Sequence, residues 1–221
     1  MSRALIVFAK EPAPGTVKTR LRRCFSDRAL VRLYKAFVKD TLAIAKGARN
    51  TKKYLAFSSA GAPRFLRSVS DGFELIEQKG RALGDRMHNA FTYARENKSE
   101  KTVIIGTDSP TLPARVIAKA FRALNRKDII LGPSVDGGYY LIGMKEPHPE
   151  IFKGVRWSSA SVLKRTLANA RTLGASTSLL EQWYDVDDRK GLSRLRNDLK
   201  TDKGKSFAKH TRMVLKNISI L

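Results

Sequence analysis

The chain has 221 residues, 42% hydrophobic and 29% charged, with 43 Lys and Arg against 20 Asp and Glu and a formal net charge of +23. That apolar content excludes a disordered chain and suffices for the core of one domain, while Gly and Pro show no collagen-like period. The longest apolar run, Ala4 to Ala9, is far short of the roughly 20 residues a membrane span needs, and the lone Cys24 excludes an intramolecular disulfide or a cysteine-based zinc site.

Ala4 to Phe8 (ALIVF) predicts a strand buried on both faces, followed by a loop rich in Pro and Gly. From Asp27, a plausible N-cap, Leu30, Leu33, Tyr34, Phe37, Val38 and Leu42 mark one face of a helix ending near Gly47. Lys53 to Phe57 and Phe73 to Glu77 read as strands, joined by a short polar piece containing Pro63. A helix is expected over about Leu83 to Asn97, with Leu83, Met87, Ala90, Phe91 and Ala94 inward. Thr102 to Gly106 is the fourth strand, and Pro113 suits the first turn of the next helix.

Asp128 to Gly132 and Tyr139 to Met144 read as strands around a turn at Val135 to Gly138. Ala160 to Leu173 has helical spacing, Ser176 to Val186 has room for another strand, and Gly191 to Lys216 reads as mostly helical. Strands alternating with helices predict a single α/β domain with a mostly parallel central sheet and helices on both faces. It is expected to be cytoplasmic, because no export or membrane signal is visible.

The charge is concentrated at the two ends. Residues 1–60 carry 14 basic and 3 acidic groups, and residues 189–221 carry 10 and 2. Such a surface attracts polyanions or is simply a solvated basic face. The rival reading of the whole chain is a basic nucleic-acid-binding domain without catalysis, but no nucleic-acid reading motif accompanies the charge, so any binding of nucleic acid should be weak and salt-labile.

In open α/β sheets ligands bind beyond the carboxyl ends of the strands, which selects particular loops. The first, Ala9 to Leu21, offers Lys10, Lys18 and Arg20 together with backbone N–H groups around Gly15, a set able to wrap a polyphosphate. It matches neither the Walker A loop nor GxGxxG. Asp108, after the fourth strand, suits a Mg²⁺ or Mn²⁺ ion that also takes phosphate oxygens, or else caps the following helix. Asp136-Gly137-Gly138 permits close approach of backbone to ligand or is only a hairpin turn. Asp185 and Asp187 share one side of an extended segment, where they complete a metal site or cap the next helix.

The other reactive residue types argue against other chemistries. His88, His148 and His210 share no metal-ligand spacing, Cys24 has no His nearby in sequence, and the serine pairs at 58–59 and 158–159 lack a GxSxG context. The aromatics Trp157, Trp183, Tyr139 and Tyr140 read as core, although Trp157 sits in a Gly- and Ser-flanked loop that could line a pocket.

In order, AKEPAPGTVKTRL, QKGRALGDRM, IIGTDSPTLP, GPSVDGGYYLIGM, WSSASVL and YDVDD span about residues 4 to 190. This series resembles the bacterial family of glycosyltransferase-A-like, or nucleotide-diphospho-sugar transferase-like, proteins, whose relatives include phospholactate guanylyltransferase and molybdenum cofactor guanylyltransferase. The resemblance implies a Rossmann-like nucleotide-binding sheet, a divalent metal (Mg²⁺ or Mn²⁺), a nucleotide or nucleotide-sugar substrate and a small-molecule acceptor. It implies that Gly15, Lys18 and Arg20, with Lys10 nearby, hold the phosphates, and that Lys18, Arg20 and Asp108 act in nucleotidyl or glycosyl transfer. Gln78, Gly80 and Gly84 match the segment that contacts base or sugar. Asp108 and Asp187 match the metal ligands, and Asp136, Gly137, Gly138 and Tyr139, with Trp157, would face the acceptor or sugar. The family often has Asp where this chain has Thr111, and commonly Thr-Pro-Glu-Asp where it runs Asp188-Arg189-Lys190-Gly191, which questions the cap of the following helix. The basic extension 191–221 lies outside the resemblance.

Overall fold

A computed structural model describes residues 2–201 and 207–218. Its strands are β1 (Arg3–Lys10), β2 (Lys52–Ser58), β3 (Glu74–Glu77), β4 (Lys101–Gly106), β5 (Ile129–Pro133), β6 (Tyr139–Met144) and β7 (Thr177–Leu179). Its α-helices are α1 (Asp27–Lys46), α2 (Arg64–Val69), α3 (Leu83–Glu96), α4 (Ala114–Ala123), α5 (Val162–Thr172), α6 (Arg189–Lys200) and α7 (Lys209–Lys216). The strands form one seven-stranded sheet in the order β3-β2-β1-β4-β6-β5-β7. Only β6, which pairs antiparallel with β4 and β5, departs from the parallel direction.

β1 has parallel partners on both sides, with Ile6 opposite Tyr54 of β2 and Ile104 of β4. Side chains alternate across a strand, so Leu5, Val7 and Ala9 enter one core cluster and Ala4 and Ile6 the other. A strand buried on both faces needs apolar residues at every position, hence the unbroken run in the sequence. Val38 and Leu42 of α1 and Val116 and Phe121 of α4 cover the first face. Met87, Phe91 and Ala94 of α3 and Ala170 of α5 cover the second. Each Val, Leu, Phe or Met among them, when fully buried, contributes about 1.5–3 kcal/mol of transfer free energy.

A third cluster joins the two ends of the chain. Leu30, Leu33 and Phe37 of α1 pack with Leu192, Leu195 and Leu199 of α6 and with Phe25, Tyr184 and Val186, while Ala208 and Val214 bring in α7. The basic segment after residue 190 is therefore seated on α1. The expected helical stretch Gly191 to Lys216 is two helices, and residues 202–206 within it lie outside the described residues.

Several boundaries differ from expectation for local reasons. Ser26, not Asp27, caps α1, its Oγ accepting from the Ala29 N–H at 3.3 Å. Asp27 instead forms the first turn, where a carboxylate suits the helix dipole, and pairs with Arg22 at 2.9 Å. Pro113 is the N-cap of α4 rather than part of its first turn. Asp188 Oδ1 accepts from the Gly191 N–H at 2.8 Å, so α6 keeps its cap despite the sequence change at 188–191. α2 was not expected, because its cap is not local: Glu11 accepts from the Phe65 and Leu66 N–H groups at 2.8 and 3.1 Å. Leu83, expected inward, is 42% exposed.

Candidate active site

From β1 the chain steps outward to β2 and β3, then returns to place β4 on the other side of β1. The carboxyl ends of β1 and β4 thus flank a topological switch point, where the divergence of the following loops opens a crevice. A cavity of about 460 Å³ lies there. Lys10, Gln78, Arg86, Asp108, Tyr139 and Asp185 are among its lining residues. Its volume falls within the usual range for small-molecule pockets.

Tyr34 ties the two strand ends together. Its hydroxyl accepts from the Lys10 N–H at 3.0 Å and lies 3.0 Å from Thr107 Oγ1. Burial pushes the phenol up to about 12. Ser109 and Ser134, from the loops after β4 and β5, donate to the two oxygens of Asp185 at 2.6 and 2.7 Å. Burial raises the Asp185 carboxyl to about 6, against the lowering effect of the Ser109 hydrogen bond, and the charges of Asp108 and Asp187 add to the rise. The segment carrying Asp185 is docked by its backbone, for the Val186 N–H donates to the Asp108 carbonyl at 2.8 Å.

Asp108 and Asp187, far apart in sequence, converge. Lys18 Nζ donates to Asp108 Oδ1 and, at 2.8 Å, to Asp187 Oδ1. Two oxygens bound to one nitrogen lie within about 6 Å of each other. Burial pushes the Lys18 ammonium down, but the two carboxylates outweigh it and hold the group above the ordinary lysine value. Two carboxylates sharing a cation are the donor set a hard divalent ion takes, with phosphate and water completing its shell. Among the described residues no group of three or more His, Cys, Asp or Glu side chains could hold a metal ion. Two carboxylates alone would leave most of such an ion's shell to be filled by other ligands.

The remaining singled-out residues fall in different places. Lys10 lines the cavity and its Nζ donates to the Thr16 carbonyl at 3.2 Å. Gly15 lies in an exposed turn at φ 76°, and Arg20 is exposed. Gln78 lines the cavity while its Nε2 donates to the Ala9 and Ala56 carbonyls, at 3.2 and 2.8 Å. Gly80, at φ 127°, leaves room for Asp85, whose Cβ would stand 2.5 Å from an added Cβ. Gly84 packs against Phe152 and Trp157, beside a separate groove that also includes His88 and Glu150. Trp157 stacks at a tilt on Phe152, 6.2 Å between ring centres, and lies against the second core cluster rather than along the main cavity.

Asp136 is exposed and closes an Asx turn, its Oδ1 accepting from the Gly138 N–H at 3.0 Å. Gly137, at φ 88°, passes so close to Ala160 that a Cβ would meet its carbonyl oxygen at 2.3 Å. Tyr139 lines the cavity wall. Sequence reasoning passed over Tyr34, whose helical spacing marks it as core, and Ser109 and Ser134, which carry no signal beyond their places after strands.

This mostly parallel seven-stranded sheet has the nucleotidyltransferase, or glycosyltransferase-A-like, fold. Residues 41–159 match the family described as an uncharacterized protein conserved in bacteria (DUF2064), and the chain belongs to that family. A crystal structure from Desulfovibrio desulfuricans, of a candidate nucleotide-diphospho-sugar transferase, is similar at a TM-score of 0.89 and 30% identity, covering 98% of this chain and 95% of that one. 4-Diphosphocytidyl-2C-methyl-D-erythritol synthase from Anaerococcus prevotii is similar at 0.57 and 7% identity, over 90% and 97% of the two chains. The Rv0371c protein of Mycobacterium tuberculosis, in complex with manganese, is similar at 0.51 and 15% identity, over 88% and 97%. The last two carry the fold alone. No curated protein matches the chain.

Proposed function

We propose that the protein transfers a nucleotidyl or glycosyl group from a nucleoside triphosphate or nucleotide-sugar to a small acceptor, with a divalent metal. The observation that carries this reading is the convergence of Lys18, Asp108 and Asp187 beside a cavity at the switch point. The similarity at 30% identity to a candidate nucleotide-diphospho-sugar transferase supports it, and so does the manganese bound by a protein of the same fold.

Asp108 and Asp187 would hold Mg²⁺ or Mn²⁺. When bound, such an ion supplies neutralisation of charge on phosphate oxygens. Lys18 and Arg20, from the segment after β1, with Lys10 at the end of that strand, would meet the phosphates and stabilise the negative charge that gathers on a departing pyrophosphate or nucleoside diphosphate. Gln78, with Gly80 and Gly84 on its segment, would orient the base or sugar. Tyr139 in the cavity wall, with the turn Asp136 to Gly138 before it, would bound the acceptor side. Catalysis of this kind consists of positioning and electrostatics, and it requires no protein nucleophile.

Thermal unfolding with each nucleoside triphosphate and nucleotide-sugar, with and without Mg²⁺ or Mn²⁺, tests the reading. A ligand that binds only the folded state raises its stability. At least one nucleotide should raise the midpoint in a metal-dependent way, and no response to any of them would overturn the assignment.

A further inference from the structure

The groups expected to hold phosphate and those expected to hold metal are bound to each other. The Lys18 side chain is 3% exposed, whereas those of Asp108 and Asp187 are 43% and 44% exposed. The ammonium is thus covered while the carboxylates that flank it remain open to solvent. Beneath it lie the rings of Phe37 and Tyr34, with Nζ 5.1 and 5.9 Å from their centres. The Lys18 backbone is left-handed, at φ 51° and ψ 35°, a conformation a side chain with Cβ adopts at some cost. The two ion pairs help to hold it there.

We propose that Lys18 is the resident counter-ion of Asp108 and Asp187 and makes their capture of a divalent cation conditional on its withdrawal. The proposal rests on the reading that these aspartates are the metal ligands. With Lys18 in place, one of the pair's two negative charges is already neutralised. A divalent ion entering between the carboxylates must also leave a buried ammonium without its partners, which is costly. A polyphosphate beside the loop removes both obstacles, since it gives the ammonium a new partner and adds negative charge around the ion. Metal and polyphosphate then raise each other's affinity by the same factor.

Titration of Mn²⁺ without nucleotide, followed by loss of the free-ion electron paramagnetic resonance signal, tests this directly. Lys18→Met keeps the length of the buried stem and removes the charge, and Lys18→Gln keeps a polar end. Thermal unfolding of each variant reports that it is folded. Both should bind Mn²⁺ at least about tenfold more tightly than the wild type, because the competing ammonium is gone. Adding Asp187→Asn to Lys18→Met should abolish the gain. Equal affinity in all three proteins, no binding by either variant, or a gain that survives Asp187→Asn would overturn the proposal. No nucleotide is present, so failure here is distinct from failure of the transfer reading, which the nucleotide series decides.

Discussion

Asp40 of α1 grips His210 of α7 twice, with Oδ1 accepting from the His210 backbone N–H at 3.0 Å and lying 2.9 Å from its ring Nδ1. Oδ2 accepts from the Thr211 N–H at 2.8 Å. Ala208 at the N-cap offers no side-chain oxygen, so this carboxylate from another helix takes over the cap and suits the positive end of the helix dipole. Asp40→Ala leaves two helix-end donors without their acceptor and should cost about 2–4 kcal/mol. Urea unfolding of wild type and variant measures the difference. A change below about 0.5 kcal/mol would show that α7 does not need the clamp.

Asp185 gives a pH dependence with a definite sign. Its carboxyl is raised from 3.8 to about 6 in the folded protein, first by burial, so the native state holds a proton that the unfolded chain releases. Its contribution to stability is therefore best below the unfolded value and is lost as pH rises from about 4 to 6, after which it is flat. Asp185→Asn keeps an amide that exchanges hydrogen bonds with Ser109 and Ser134 and removes the charge. The metal-free variant should be about 1–3 kcal/mol more stable than wild type at pH 8, with the gap closing toward pH 4. Chemical unfolding at several pH values measures it, and a gap independent of pH would contradict the raised carboxyl.

Gln78 braces the ends of β1 and β2 through its amide N–H groups, which donate to two carbonyls. Gln78→Leu loses those bonds, for about 1–2 kcal/mol. Gln78→Glu instead sets a carboxylate against carbonyl oxygens, so its penalty should exceed that of leucine at pH 8 and shrink as the acid protonates near pH 4–5. Thermal unfolding of both variants at the two pH values separates lost bonding from repulsion. A glutamate variant less destabilised than the leucine variant at pH 8 would mean that the strand ends do not depend on donation from this side chain.

These residues show what a sequence carries and what it does not. The strand over residues 4–8 and the helix from 27 were legible because burial imposes a period on neighbouring residues. α2 was not, since Glu11 caps it from a distant loop. Asp108, Asp187 and Lys18 were each visible as candidates on separate loops. That they meet on one another is a matter of sheet order, which brings the ends of β1 and β4 together and docks Val186 on Asp108. Local pattern could not report it, nor that Ser109 and Ser134 share a carboxylate.

The two basic ends of the sequence also meet in space. α1 carries exposed Arg28, Arg32 and Lys39, and α6, packed on it through the third core cluster, carries exposed Arg189, Lys190, Arg194 and Lys200. Among the described residues, this layer concentrates positive charge on two packed helices and shows no exposed aromatic platform of the kind that distinguishes one nucleic acid from another. A labelled oligonucleotide should therefore bind with no sequence preference. Affinity should fall tenfold or more between about 50 and 200 mM salt, because phosphate contacts release counterions. The metal-dependent nucleotide response should persist across the same range, since charges in a partly enclosed site are screened less than those on an open surface. A fluorescence titration at the two salt concentrations, beside thermal unfolding with nucleotide and metal, compares them. Tight oligonucleotide binding that survives 200 mM salt, with no nucleotide response, would make this cationic layer the working surface of the protein and the cavity incidental to it.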